Sequence, residues 1–125
     1  MPVVASRHFP FAVTRALTPE RMREAVQVLI RDSARHASRD YFVIDGARSW
    51  TVGDQHTKKE LIVRGMGWGH MPLHMVDKEL RSGKLVSLEG RHFKRTRLDI
   101  VVARRADRQP GPVARALWDA LVDAA

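Results

Sequence analysis

The sequence predicts an α/β layered domain, and three observations carry that prediction. β-branched apolar runs alternate with helical patterns, most helical patterns open at a capping residue or a proline and close at a glycine, and 44% of the 125 residues are apolar. A chain of this length buries about two thirds of the surface its unfolded form exposes. It therefore makes one core without staples. Cysteine is absent, which excludes a disulfide framework, a thiolate zinc site, an iron–sulfur cluster and a cysteine nucleophile.

The elements follow in order. Val3-Val4-Ala5 reads as a short strand, ended by Ser6-Arg7-His8 and Pro10. Thr18-Pro19-Glu20 is a helix start: a capping hydroxyl, proline at the first helical position and an acid at the positive end of the dipole. Residues 22–30 fit one continuous helix or a short helix leading into a strand at 26–30, and the β-branched residues favour the second. Residues 31–40 are polar and small, a loop, and Asp45-Gly46 is a turn.

Ser49-Trp50-Thr51-Val52 reads as a strand stopped by Gly53, after which Asp54 caps a helix reaching Arg64 and closed by Gly65. Residues 67–72 are extended, 73–82 a helix ended by Gly83, and 85–88 a strand. Leu98-Asp99-Ile100-Val101-Val102-Ala103 is the most strand-like run in the chain. Past Gln109-Pro110-Gly111-Pro112, a terminal helix carries Val113, Leu117, Trp118, Leu121 and Val122 on one apolar face.

With 22 Lys+Arg against 14 Asp+Glu the formal charge is +8, a balance that invites a polyanion partner. Seventeen of the cations are Arg, however, and they are scattered, with one dense stretch at residues 91–108. That stretch lacks interleaved aromatics, so a solvated basic face is the plainer reading. No run approaches the roughly 18 apolar residues of a membrane helix, and the first residues lack a signal-peptide pattern, so a cytoplasmic domain with no membrane partner is expected.

Catalytic and metal motifs are weak. His70 and His74 are four apart, but Met71 and Pro72 stand where a zinc-protease helix needs Glu and an unbroken turn. Gly65-Met66-Gly67-Trp68-Gly69 follows a helix instead of opening one, the reverse of a phosphate loop. No serine lies in a nucleophile-elbow pattern, and no carboxylate pair sits among apolar residues. The expectation is no catalytic residue, no metal and no cofactor.

Residues 50–88 resemble the effector-binding (substrate-binding) domain of LysR-type transcriptional regulators. The resemblance rests on Trp50-Thr51-Val52-Gly53-Asp54, the helix Lys58-Lys59-Glu60-Leu61-Ile62-Val63-Arg64-Gly65, then Gly67-Trp68-Gly69-His70-Met71-Pro72 and Leu80-Arg81-Ser82-Gly83-Lys84-Leu85-Val86-Ser87-Leu88. The flanks are similar too: Val3 to Pro10 looks like the crossing strand, and residues 98–105 with the terminal helix look like the return strand and last helix. The resemblance implies a periplasmic-binding-protein-like (type 2) lobe, a mixed sheet flanked by helices, plus a C-terminal helix from the other lobe. Residues 1–101 would be the second lobe, and 102–125 the end of the return strand and the first lobe's last helix.

The function so implied is binding of a small-molecule inducer between lobes and transmission to DNA-binding modules. DNA contact would run through a helix-turn-helix domain, for which these residues hold no candidate. The alternative is a free-standing basic α/β domain that binds nucleic acid or another polyanion through residues 91–108. Ligands of open α/β sheets sit at the carboxyl ends of strands. There the chain places Asp32, Ser33 and Arg35, then Thr51, Gly53 and Asp54, then Trp68, Gly69 and His70. The N–H groups opening the Lys58 helix suit an inducer carboxylate, although Asp54 competes for them. Trp68 suits an aromatic inducer, or is a core residue beneath the second helix. The apolar face of the terminal helix (Leu117, Trp118, Leu121) is expected to be loosely held or to recruit a second copy, hence a homo-oligomer.

Overall fold

Val3 and Val4 become a strand because they acquire neighbours on both sides. In the computed structural model, which describes residues 1–11, 17–31 and 43–124, β1 (Val3–Ser6) is buried along its whole length. The remaining strands are β2 (Gln27–Ile30), β3 (Ser49–Val52), β4 (Trp68–His70) and β5 (Leu85–Ser87), and the five form one sheet in the order β3-β2-β4-β1-β5. β1 runs antiparallel to β4, with Val3 opposite His70, and antiparallel to β5, with Ala5 opposite Val86. β2 is parallel to β3 and to β4. The mixed sheet is the one expected.

The helices start and stop for local reasons. α1 (Pro19–Met22) is a single turn capped by Thr18, so the chain takes the short-helix-then-strand option. α2 (Gln55–Val63) is capped by Asp54, and α3 (Leu73–Arg81) starts after Pro72. Gly65 and Gly83 follow them at φ 78° and 72°, left-handed backbone that suits glycine. α4 (Pro112–Asp123) has proline in its first turn.

Alternation along the strands divides the core into two layers. Val4 and Val28 point to the face where Ile62 of α2 and Val76 of α3 pack, with Met71 and Leu85. Val3, Ala5 and Trp68 point to the other face, against Phe9, Met22, Leu88 and Phe93. Trp68 and Phe93 meet edge to face, ring centroids 5.7 Å apart.

The glycines of the Gly67-Trp68-Gly69 run are explained by how closely β4 approaches β2. A Cβ on Gly67 would lie 2.5 Å from the Val26 carbonyl oxygen, and one on Gly69 would lie 2.9 Å from the Val28 oxygen. Either side chain would push the strands apart.

One expectation fails. Residues 98–103 form no strand, and Ile100 is 98% exposed. A run apolar on both faces belongs inside a sheet, with layers on either side and a ladder to join. Neither edge of this sheet, β3 or β5, pairs with it. The segment expected to be the return strand is therefore an exposed connection to α4.

Candidate functional site

The carboxyl ends of β2, β3 and β4 lie at one edge of the sheet because the three strands are parallel. β3 flanks β2 on one side, and the chain then crosses through α2 to bring β4 to the other side. This reversal is a topological switch point, the place where open α/β sheets hold ligands. The edge is closed by short links: the Arg31 N–H donates to the Val52 carbonyl at 2.8 Å, and the Met71 N–H to the Pro2 carbonyl at 3.1 Å.

Of the nine residues expected at the site, Asp32, Ser33 and Arg35 lie outside the described residues. The other six divide into two groups. Thr51, on the sheet-edge strand β3, is exposed; Gly53 and Asp54 follow it into the start of α2. Gly69 and His70 end β4 at the same edge, with β2 between the two groups. Trp68 and His70, two residues apart, share the face opposite α2 and line an open cavity of about 700 Å³ with Ile44, His92, Phe93 and Lys94. Thr51, Gly53 and Asp54 do not line it. Trp68 is fully buried in the layer opposite α3, so it is a core aromatic on the other face from the one expected, and it still forms a wall of this cavity. Its indole nitrogen is buried without a hydrogen-bond partner.

The competition anticipated at the start of α2 goes to Asp54. The Thr57 N–H donates to Asp54 Oδ1 at 2.8 Å and the Thr57 hydroxyl to Oδ2 at 2.7 Å. These bonds hold the Asp54 carboxyl below its ordinary range. A ligand anion would have to displace this cap.

A lysine missing from the expected set supplies the positive charge instead. Lys58, on α2, is only 6% exposed. A Cβ on Gly69 would lie 3.0 Å from Lys58 Cε, so the bare glycine opens the slot in which the lysine stem lies. Burial lowers the Lys58 pKa to about 8. Burial first, and the Lys58 charge second, lower His70 to about 4, which keeps its imidazole neutral at pH 7. The sequence held one signal for Lys58. It stands four residues before the buried Ile62, on the stripe of α2 that faces the sheet.

The basic stretch at 91–108 offers no comparable construction. Arg95 bonds Glu89 at 3.0 Å, Arg105 bonds Asp107 at 2.9 Å, and the Arg104 guanidinium lies 4.6 Å from the Trp118 ring centre, all at the surface. Among the described residues no three His, Asp or Glu side chains converge as metal ligands, and no helix is long and apolar enough to cross a membrane.

A mixed sheet wrapped by helices, with a switch-point edge and a neighbouring open cavity, defines a type 2 periplasmic-binding-protein-like fold. The chain belongs to the LysR substrate-binding domain family, whose model matches residues 1–125. Among solved structures it is similar to the full-length LTTR LysG from Corynebacterium glutamicum with bound effector Arg, at 20% identity and a TM-score of 0.55. A second structure of full-length LTTR LysG from Corynebacterium glutamicum matches at 19% identity and a TM-score of 0.55. The match covers 98% of this chain and 41% of LysG, so the chain spans less than half the length of that neighbour. A search of curated protein sequences returns no match.

Proposed function

We propose that this chain binds a small-molecule effector at the carboxyl edge of β2, β3 and β4, as the sensing lobe of a LysR-type transcriptional regulator. The observation that carries the reading is the switch point, where Thr51, Gly53 and Asp54 stand on one side of β2 and Gly69 and His70 on the other. The ligand is an organic molecule with a carboxylate or an aromatic ring, held by polar groups at the edge and by the Trp68–Phe93 wall. Residues 1–101 act as the second lobe, and residues 102–125 lead into the first. Effector binding favours the closed arrangement of the lobes, and the population shift reaches a helix-turn-helix module that contacts DNA. The regulator works in the cytoplasm as a homo-oligomer, without cofactor and without catalysis.

Hydrogen exchange with and without a stabilising ligand tests this reading. A panel of metabolites is screened by thermal shift, and a binder should raise Tm saturably. Amides at residues 51–56 and 68–71 should then gain protection. Protection confined to residues 91–108, appearing with duplex DNA instead of a small molecule, would replace the effector reading with polyanion binding.

A further inference from the structure

We propose that Lys58 is the carboxylate anchor of the effector site, holding the acid group of an organic monoanion beside the Gly69–His70 end of β4. The proposal rests on the effector-site reading above and adds the ligand's chemical class.

Lys58 is a buried cation to which the described residues supply no counter-ion. Among the described residues it makes no ion pair and no hydrogen bond. The other charged side chains on α2 are already matched: Lys59 pairs with Glu79 at 2.7 Å, and Glu60 with Arg64 at 3.5 Å. Asp54, one turn earlier, is turned onto Thr57. An isolated buried charge is destabilising, and folded proteins normally pair it or replace it. Here the backbone makes room for it, because a Cβ on Gly69 would crowd both the Val28 carbonyl and Lys58 Cε.

Position decides what the charge is for. Helical side chains lean toward the helix N-terminus, and the N-terminus of α2 lies at the carboxyl edge of the sheet, directly after β3. The Lys58 ammonium is thus directed toward the ligand edge, near enough to His70 to affect its titration. His70 stays neutral and adds a polar group without a second charge. One recessed cation beside a neutral imidazole, with the apolar Ile62 and Met71 in the adjoining layer, matches a carboxylate on a small organic body. A phosphate dianion would call for an arginine fork or free helix N–H groups, and Asp54 already occupies the start of α2.

Calorimetric titration of the wild-type chain and Lys58→Met tests the proposal, using aliphatic, aromatic and amino-acid carboxylates, each paired with its neutral amide. The wild type should bind at least one acid about tenfold or more tightly than its amide. Lys58→Met should abolish that preference, the acid losing more affinity than its amide. In wild-type protein labelled with ε-¹³C lysine, the Lys58 resonance should titrate at higher pH once the acid is bound. Equal acid binding by Lys58→Met, or an unmoved Lys58 titration, overturns the anchor and leaves the site reading intact. If amides bind and no acid binds better, the carboxylate class falls alone; if neither acids nor amides bind, the site reading falls with it.

Discussion

β1 and the segment 98–103 make an instructive pair. Val3-Val4-Ala5 is three apolar residues long and fully buried, whereas Leu98-Asp99-Ile100-Val101-Val102-Ala103 is longer, carries three β-branched residues to the other's two, and is exposed. The difference is partnership. β1 has β4 on one side and β5 on the other, and each face of it meets a packed layer. The later run has no ladder to join and leads into a helix with no buried residue. Strand propensity describes how well side chains fit a pleated, half-buried surface, so the same residues lose their preference when that surface is missing.

The strongest way to break the contrast is to remove its central side chain. Trp68→Ala should destabilise the fold by about 3–5 kcal/mol, the usual range for truncating a buried large aromatic. The loss should be visible in urea as a lower midpoint with an unchanged slope. A loss below about 1 kcal/mol would mean that the layer opposite α2 is as loosely formed as the C-terminal region.

Lys58 sharpens the comparison from inside the well-packed region. Its pKa falls from 10.5 unfolded to about 8 folded, so the folded state binds the proton more weakly. Protonated Lys58 therefore destabilises the fold below pH 8, and the penalty fades as pH rises from about 8 to 10.5. Lys58→Met should stabilise the chain by about 1–3 kcal/mol at pH 7, with the gap closing toward pH 10.5 in parallel denaturation series. A variant less stable than wild type at pH 7 would show that the charge is matched inside the protein.

His70 works in the same direction in a more acidic window. Its folded pKa of about 4 lies below the ordinary 6.5, so stability is complete above pH 6.5 and declines as pH falls toward 4. Because His70 is partly exposed, the expected loss is about 1–2 kcal/mol, and His70→Gln should remove that part of the acid sensitivity.

Much of the sheet was legible because its punctuation is local. Asp54, Gly65, Pro72 and Gly83 mark the bounds of α2 and α3 within a residue or two. The edge carrying Thr51, Gly53, Asp54, Gly69 and His70 followed from placing a ligand at the carboxyl ends of the strands. Lys58 was not legible as a site residue, since an exposed lysine and a buried one look alike until Gly69 is placed beneath the stem. The side of the sheet taken by Trp68 was hidden for a similar reason: it depends on the register Ala5↔Trp68, a pairing 63 residues apart in sequence that no local pattern encodes.

Ile100 gives the smallest expected effect and bears on the region whose partner is still open. With 98% of its surface exposed, Ile100→Ser removes no packing in the isolated chain and should change stability by less than about 0.5 kcal/mol. Leu117, 61% exposed on α4, should respond in the same way to serine at low protein concentration. The proposed homo-oligomer makes the measurement more informative at high concentration. If a second copy covers these side chains, the substitutions lower Tm only where the chain self-associates, and the wild-type Tm rises with concentration while the variants' does not. A loss above about 1 kcal/mol in dilute solution would instead require residues 98–103 to pack within the chain itself, and the contrast with β1 would then be one of degree.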